Sequence, residues 1–441
     1  MDWVSLLDDR CTPYEGCKDE LEARNNLRDQ YLRDYDRVVF SPSFRRLGRK
    51  TQVHPMAKND HVHTRLTHSL EVASVGRSLG FSVAHFISEV EGLPKYVEPI
   101  DLGFIVQAAC LAHDIGNPPF GHAGEYAIRD WFASNLSLLH SSLTEQQVSD
   151  LVQFEGNAQG FRLVTKIENH YYNGGLRLSA ATLGTLIKYP WFSNSCIGKE
   201  KAKFNIFSSE SDTFSLLAKQ LGLLAINNER FSRHPLSYLM EAADDICYRI
   251  LDIEDALEIG VLRFDDISGI LEKIAETTII EEKHQKMSVR RRIMPYRAAA
   301  INNIILKVSD IFKENYDAIM LGNFDGDLIE GISGSVADGL RLAKSLTKNV
   351  IFNDQRKVEL EVGAYSIISI ILKAFITAAN ELKEKDDISF KSDRILSLMA
   401  GNRPDKHDTY YDCYMKISDY VSGMTDDYAT FIAGQIGGHA R

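Results

Sequence analysis

The sequence predicts an almost wholly α-helical protein with a short strand or hairpin as its minor β-structure. Apolar residues recur every three or four positions, or at multiples of a turn, near residues 66–83, 239–257 and 360–375, which is the spacing of one helix face. The alternation of apolar and polar residues that marks a strand is scarce, and residues 203–208 are the best candidate for it. The expected fold class is therefore all-α.

The composition is that of a globular protein with enough apolar residues for an extensive core. The chain has 441 residues, of which 44% are hydrophobic and 25% are charged, so stability needs neither disulfides nor structural metals. Its net charge of −11 argues against a surface built for nonspecific nucleic-acid binding. Two arginine-rich clusters, at residues 45–50 and 290–292, are either solvated faces or local basic grooves.

The cysteines and the first residues predict a cytoplasmic protein. The six cysteines are scattered and lack the spacing of a zinc ribbon or a redox pair, which indicates a reducing compartment. Residues 1–10 carry three aspartates and do not resemble a secretory signal. The most apolar stretch, residues 362–376, is shorter than a bilayer-spanning helix, so we expect a buried helix there and no membrane partner.

An adjacent histidine and aspartate, His113 and Asp114, close an apolar helix predicted over residues 105–112. Burying a carboxylate beside an imidazole is costly unless both are paired or bind a metal, but such a pair alone is more often structural. His68 and Asp244, each inside a further predicted helix, change this balance, because the four side chains together can enclose one ion. Mixed imidazole and carboxylate ligands suit Mn, Fe, Co, Ni or Zn, and Mg less naturally.

The helix predicted around Asp244 carries two further candidate residues. Asp244, Tyr248 and Asp252 follow one another at intervals of four and therefore lie along one stripe of the helix. This stripe can present a metal ligand, an aromatic ring and a second carboxylate to one cleft. An exposed acidic helix face is the alternative, since other charged residues lie nearby.

A loop rich in proline and glycine follows the His-Asp pair and leads to His122 and Glu125. An imidazole can exchange a proton near neutral pH, and a carboxylate three residues later can orient it. A helix is expected to begin near Glu125. The two residues are a candidate general acid or base with its orienting carboxylate, while a plain surface position is the alternative for a loop histidine.

The set His68, His113, Asp114 and Asp244 resembles the H…HD…D signature of the HD superfamily of metal-dependent phosphohydrolases. The flanking sequence is more specific and resembles dGTP triphosphohydrolases, in matches that run in order along nearly the whole chain. These matching segments are residues 44–53, 65–72, 113–125, 154–159, 241–248 and 419–426.

The resemblance implies a helical HD-domain fold in which residues matching His68, His113, Asp114 and Asp244 hold one divalent metal. It also implies that His122 and Glu125 are the catalytic pair. The implied substrate contacts are Gln52 and Asp252 for the sugar 3′-hydroxyl, Tyr248 for packing on the deoxyribose, Arg65 for a phosphate, and Lys203 for a phosphate-binding segment.

The implied reaction is the hydrolysis of a dNTP, dGTP foremost, to a deoxynucleoside and tripolyphosphate. The expected cofactor is Mn²⁺ or Mg²⁺, with Co, Fe, Ni or Zn as alternatives. The expected partners are the dNTP substrate and further copies of the chain, as a hexamer or tetramer, with regulation by single-stranded DNA or a nucleotide left open. Asp427 stands where relatives often carry arginine, which leaves base recognition, oligomer contacts and regulation open.

Two alternative functions stay open at this point. One is a different HD phosphohydrolase: a 5′-nucleotidase, a phosphodiesterase or a single-strand exonuclease. The other is a non-catalytic module that binds single-stranded nucleic acid. Release of tripolyphosphate would separate the first alternative from the implied reaction, because the other enzymes do not form it.

We expect one large helical domain over residues 1–441. Within it, the motifs place a metal-binding HD core at residues 61–260 and a helical C-terminal part at residues 261–441. The charged stretch at residues 261–297 separates these two parts.

Overall fold

Helices make up nearly all of the regular structure, which confirms the predicted all-α class. Val53, the last residue of the first matching segment, lies outside the described part of the chain. The computed structural model describes residues 1–11, 29–52, 62–168, 174–277 and 286–438.

Two of the four predicted metal ligands lie within the helices up to residue 258, and the other two directly follow one of these helices. They are α1 (Trp3–Leu6), α2 (Gln30–Val39), α3 (Pro42–Arg46), α4 (Arg65–Val90), α5 (Pro99–Ala112), α6 (His122–Ser134), α7 (Glu145–Val152), α8 (Gly156–Arg162), α9 (Ala180–Leu186), α10 (Cys196–Lys201), α11 (Ser211–Gln220) and α12 (Pro235–Glu258).

The later helices continue the same pattern, with short 3₁₀ and π-helical turns between helices. They are α13 (Phe264–Ala275), α14 (Val289–Glu314), α15 (Tyr316–Met320), α16 (Gly334–Leu346), α17 (Gln355–Glu384), α18 (Phe390–Ser397), α19 (Tyr410–Ser422) and α20 (Asp426–Gly437). The 3₁₀ turns are Leu47–Arg49, Leu136–Leu138, Ser208–Glu210 and Ala400–Asn402, and the π-helical turns are Leu163–Ile167 and Thr347–Ile351.

One antiparallel hairpin, β1 (Ala225–Asn227) with β2 (Arg230–Phe231), is the only sheet among the described residues. A minor β-element was expected, but at another place in the chain.

The predicted strand at residues 203–208 is wrong. The only β-pairing of this segment in the described structure is a single bridge from Ile206 to Phe192. Phe204, Ile206 and Phe207 are all buried at once. A half-buried strand would bury only alternate side chains, so the burial of both Ile206 and Phe207 does not fit the predicted half-buried strand.

Helices α4, α5 and α12 pack together and determine where the predicted ligands lie. Helix α4 begins at Arg65, and the side chain of Thr64 caps it by accepting a hydrogen bond from the Thr67 amide. Helices α4 and α5 approach closely at Gly80, where a Cβ atom would lie 2.7 Å from the Cα of Gly103. This close packing fixes the start of α4 relative to the end of α5.

The apolar side chains form two clusters. The first joins the helices from α1 to α5 with α9 and α11 to α16, and it extends as far as Ile351. The second joins α6 and α7 with α17 to α20. The C-terminal helices therefore share a core with the helix that follows the predicted His-Asp pair. The division into residues 61–260 and 261–441 stays a prediction.

Helix α17 is longer than the apolar stretch that the sequence suggested. Its segment 357–384 is long and apolar enough, by length and composition, to cross a membrane. The prediction that the apolar stretch is too short to span a bilayer is therefore wrong. In its most apolar window, 44% of the residues are buried inside the protein. This helix packs on α6, α18, α19 and α20, and the core helix of a soluble protein passes the same test of length and composition. The absence of a membrane partner stays a prediction.

Candidate metal centre and active site

Three helices bring the four predicted metal ligands to one place. His68 lies in the first turn of α4, His113 directly follows α5, and Asp244 lies in the middle of α12. One ligand atom from each of His68, His113 and Asp114 lies within 4.8 Å of the other two. Asp244 Oδ1 lies 3.2 Å from His68 Nε2 and 3.5 Å from His113 Nε2. The four side chains thus form one compact group.

The surroundings of His113 fit a metal at its Nε2 atom. Its Nδ1 lies 2.6 Å from the carbonyl oxygen of Cys110, so Nδ1 carries a proton and Nε2 is the ring atom that can bind a metal. Burial would lower the pKa of His113, but the charges of Asp114 and Asp244 outweigh it and raise that pKa to about 9, so a metal would displace a proton from Nε2. Among the described residues, no group forms a hydrogen bond with the buried Nε2 atom. Buried polar atoms seldom lack a hydrogen-bond partner, and a divalent ion would bind to this nitrogen. The donor set of two imidazoles and two carboxylates therefore fits a divalent metal.

The charges of this group support ionised carboxylates. Burial alone would raise the pKa of Asp244, but the charges of His113 and Lys188 outweigh it and hold that pKa well below its ordinary value. Burial alone would also raise the pKa of Asp114, but the charges of Arg65 and His113 outweigh it and lower that pKa. Both carboxylates are therefore in the form that a metal requires.

Asp114 is also fixed by two neighbouring side chains. Arg65 Nη1 donates a hydrogen bond of 2.7 Å to Asp114 Oδ2, and Asn117 Nδ2 donates one to Oδ1. Arg65 is buried, and its Nε atom finds no acceptor within the described ranges. The guanidinium therefore keeps an unused donor beside the ligand group. Its predicted contact with a phosphate stays a prediction.

The predicted catalytic pair forms one hydrogen bond at the start of α6. This helix begins at His122, three residues before the position that the sequence suggested, because Gly121 in a left-handed conformation (φ +59°) precedes it. His122 Nδ1 lies 3.0 Å from Glu125 Oε2. The imidazole is 75% exposed and the carboxylate is 3% exposed. A solvent-accessible imidazole on a buried carboxylate is the arrangement of an oriented general acid or base.

Glu125 is kept ionised by the groups around it. Its Oε1 accepts a hydrogen bond of 2.6 Å from the Gly156 amide, and Lys203 Nζ lies 3.8 Å from its Oε2. Burial alone would raise the pKa of Glu125, but the hydrogen bond from His122 and the charge of Lys203 outweigh it and lower the pKa to about 2. Lys203 also donates at 2.7 Å to Glu155, so two carboxylates surround the lysine predicted to lie in a phosphate-binding segment.

The predicted sugar contacts include two buried acceptors. Gln52 Oε1 and Asp252 Oδ2 are buried atoms without a hydrogen-bond partner in the described structure. Burial, followed by the charges of Asp255 and Asp244, raises the pKa of Asp252 well above its ordinary value. Asp252 and Tyr248 follow Asp244 on α12, as the spacing predicted. Both acceptors are available to a hydroxyl group, and the assignment to the 3′-hydroxyl stays a prediction.

Sequence reasoning missed Lys188, although it lies beside a predicted ligand. Its Nζ is 3.4 Å from Asp244 Oδ2, and the side chain is largely buried. Burial would lower the pKa of Lys188, but Asp244 and Glu241 raise it. The available signal was a single lysine inside the apolar run 186–192, because a buried lysine needs a carboxylate partner.

Two further missed residues contact α12. The ring of Phe352, just after the π-helical turn Thr347–Ile351, lies 6.1 Å from the ring of Tyr248 between centroids. His63 Nδ1 lies 2.6 Å from Asp255 Oδ1, which joins the segment before α4 to α12. Neither residue belongs to a local pattern, so these contacts could not be predicted from the sequence.

Comparison with known proteins shows the family to which the chain belongs. The HD domain family matches residues 65–171. A deoxyguanosinetriphosphate triphosphohydrolase-like protein of Pseudomonas aeruginosa is 44% identical over 448 residues, covering 100% of this chain and 99% of the relative. One of Synechocystis is 36% identical, covering 99% of each chain. A deoxyguanosinetriphosphate triphosphohydrolase of Klebsiella pneumoniae is 30% identical, covering 93% of this chain and 94% of the relative. The chain therefore belongs to the deoxyguanosinetriphosphate triphosphohydrolase-like family of HD-domain phosphohydrolases.

Proposed function

We propose that this protein hydrolyses deoxynucleoside triphosphates, dGTP foremost, to a deoxynucleoside and tripolyphosphate in a metal-dependent reaction. The observation that carries the proposal is one loop with a metal ligand, Asp114, before it and the His122–Glu125 pair after it. A metal group and a proton donor held by one short loop suit the cleavage of a phosphate ester. The substrate is taken from the Klebsiella pneumoniae relative, whose name is deoxyguanosinetriphosphate triphosphohydrolase.

The cofactor in this proposal is a divalent ion, Mn²⁺ or Mg²⁺ foremost. Its ligands would be His68, His113, Asp114 and Asp244. When bound, it would supply Lewis-acid polarisation of the α-phosphate. Arg65, which has an unused Nε donor next to Asp114, would bind a phosphate oxygen and offset the negative charge of the triphosphate.

His122 is the proton donor of the proposed reaction. Its Nδ1 faces Glu125, so Nε2 is the ring atom that carries a proton to the substrate. As the bond between the α-phosphorus and the 5′-oxygen breaks, Nε2 donates that proton to the departing oxygen. The ionised Glu125 stabilises the charged imidazolium and fixes its orientation, and Lys203 holds Glu125 in that state.

The α12 stripe would select the sugar. Within the described ranges, Gln52 and Asp252 each have a buried oxygen without a hydrogen-bond partner, which would accept from the 3′-hydroxyl. The ring of Tyr248, with Phe352 against it, would pack where a ribose 2′-hydroxyl would stand and exclude ribonucleotides by bulk. A cytoplasmic homo-oligomer, a hexamer or tetramer, is part of the proposal, and light scattering of the purified protein measures its size.

Product analysis in ¹⁸O-labelled water tests this function. The purified protein is incubated with each dNTP and with GTP, in the presence of Mn²⁺, Mg²⁺ or Co²⁺, and the products are separated by anion exchange. Attack of water on the α-phosphorus predicts one ¹⁸O atom in tripolyphosphate and none in the deoxynucleoside. A nucleoside monophosphate or inorganic phosphate as the first product would contradict the proposal and favour another HD phosphohydrolase activity.

A further inference from the structure

Residues 117–121 form a loop that determines the distance between Asp114 and His122. We call this segment the 117–121 loop. Its two ends are bound from outside the loop, by groups that come from both ends of the chain. Lys50 binds the first residue, Asn117, and Asp426 binds Phe120 near the end.

Lys50 is a buried lysine whose hydrogen bonds, among the described residues, all go to backbone carbonyl groups. Its Nζ lies 2.6 Å from the carbonyl oxygen of Asn117 and 2.6 Å from that of Ser422, the last residue of α19. The side chain is buried, and an ammonium group in such a place needs these acceptors. Lys50 therefore joins the start of the 117–121 loop to the end of α19.

Asp426, in the first turn of α20, binds the other end of the loop. Its Oδ1 accepts a hydrogen bond of 2.9 Å from the Phe120 amide. Its Oδ2 accepts bonds of 3.0 Å and 2.6 Å from the amide and hydroxyl groups of Thr51. The carboxylate is buried and uses both oxygens. Since charged acceptors make the stronger hydrogen bonds, Asp426 is the main anchor of Phe120.

The backbone of Phe120 needs such an anchor. Its φ angle is +64°, and that of the following Gly121 is +59°. A bulky residue other than glycine in the left-handed region costs about 1 kcal/mol and persists only where its surroundings hold it. His122 follows directly as the first residue of α6, so the Phe120 conformation sets the direction in which His122 leaves the loop.

We propose that Asp426 is a positioning residue, which acts through Phe120 to place His122 for proton transfer to the leaving group. The inference rests on the proposed function for its substrate. It assigns a part in the reaction to α20, which lies outside the segment matched by the HD domain family. Asp426 itself is not expected to touch the substrate.

The test compares Asp426→Asn and Asp426→Ala with a matched control, Asp34→Asn. Asp34 is equally buried, and its Oδ2 accepts bonds of 3.0 Å and 2.6 Å from the amide and hydroxyl groups of Ser179. The control therefore perturbs the same type of anchor far from the 117–121 loop along the chain. The asparagine variant keeps the shape of Asp426 and one acceptor, which provides a folded variant if the alanine variant does not fold.

Two substrates separate positioning from general damage. One is dGTP, and the other is its analogue with sulfur in place of the 5′-oxygen, whose thiolate leaving group needs no proton donor. For Asp426→Ala, we expect kcat on dGTP to fall by about 10- to 100-fold, because small misplacements of a catalytic group have effects of that size. We expect a fall of less than about threefold on the thio analogue, a smaller loss for Asp426→Asn, and none specific to dGTP for Asp34→Asn.

Hydrogen exchange provides a readout that does not need activity. In Asp426→Ala, peptides covering residues 115–121 should exchange faster, while peptides from α4 keep their wild-type rates. Unchanged exchange in the loop, or equal losses on both substrates, would overturn the proposal. If the wild-type protein cleaved no dNTP, the proposed function would be wrong, and the exchange data would still decide whether Asp426 holds the loop.

Discussion

Replacing His63 by glutamine removes a charged contact between the segment that leads into α4 and helix α12. His63 Nδ1 lies 2.6 Å from Asp255 Oδ1, and Nε2 lies 3.1 Å from Glu71 Oε2. Burial alone would lower the pKa of His63, but the hydrogen bond to Asp255 and the ion pair with Glu71 outweigh it and raise the pKa from 6.5 to about 10. The contact therefore stabilises the fold in a way that depends on pH.

The magnitude follows from the raised pKa. One pKa unit corresponds to about 1.4 kcal/mol, so the rise from 6.5 to about 10 corresponds to about 5 kcal/mol at full strength. Glu71 is 38% exposed, and solvent screens its share, which leaves about 2–3 kcal/mol. A histidine with a raised folded-state pKa stabilises fully below its unfolded-state pKa and loses this contribution as pH rises through the folded-state value. The contribution is thus complete below pH 6.5 and lost by about pH 10.

Urea unfolding of the wild type and His63→Gln at several pH values measures this effect. We expect the free energy of unfolding to differ by about 2–3 kcal/mol near pH 6, with the difference shrinking steadily towards pH 10. His85→Gln is the control, because the His85–Glu89 pair is 83% and 65% exposed and should show little difference at any pH. A difference for His63→Gln that stays constant across this range would refute the charge argument and leave packing as the cause.

The remaining predictions concern the active site. Asp114→Ala should lose both bound metal and turnover, and elemental analysis of the purified variant measures its metal content. Retention of a full equivalent of metal would contradict the assignment of Asp114 as a ligand. His122→Ala should keep its metal but lose about 100-fold or more in kcat on dGTP, and normal turnover would exclude it as the proton donor. Tyr248→Ala should lower the ratio of kcat/KM for dGTP to kcat/KM for GTP. Phe352→Leu should lower this ratio less, because Phe352 is proposed to act through the tyrosine ring. Unchanged ratios in both variants would exclude steric selection against the 2′-hydroxyl.

Local patterns in the sequence predicted the candidate metal ligands because each of them belongs to a helix signal. His113 and Asp114 follow a helix that ends at Ala112, as its apolar run indicated. Tyr248 and Asp252 share the stripe of Asp244, because a spacing of four residues keeps side chains on one helix face. That the three helices meet came from the resemblance to a known family, since periodicity alone carries no information on which helices pack together.

The contacts that fix the 117–121 loop could not be predicted in this way. Lys50 and Ser422 are 372 residues apart, and Phe120 and Asp426 are 306 residues apart. Each bond joins a side chain to a backbone group, so the identity of one of the two residues carries almost no signal. Such contacts follow only from where the folded chain places the end of α19 and the start of α20 relative to the 117–121 loop.

The wrong strand prediction has a related cause. Phe204, Ile206 and Phe207 have the β-favouring side chains of a strand. The second apolar cluster contains Phe204 and Phe207, whereas the first contains Ile206. The segment therefore lies between the two cores, and burial on both sides, rather than pairing with a neighbouring strand, determines its course.

The residues proposed for the reaction and those proposed to select the substrate lie mostly in different parts of the chain. The segment that matches the HD domain, residues 65–171, contains three of the four candidate ligands and the His122–Glu125 pair. Gln52 precedes this segment, whereas Asp252 and Tyr248 follow it on α12. Because the groups proposed to bind the sugar lie outside, substitutions there should change which nucleotide is cleaved while metal binding persists. Asp244 is the exception among the candidate ligands, since it lies on α12 within 3.5 Å of both histidines. It therefore joins the candidate metal ligands to the helix that carries the proposed sugar contacts.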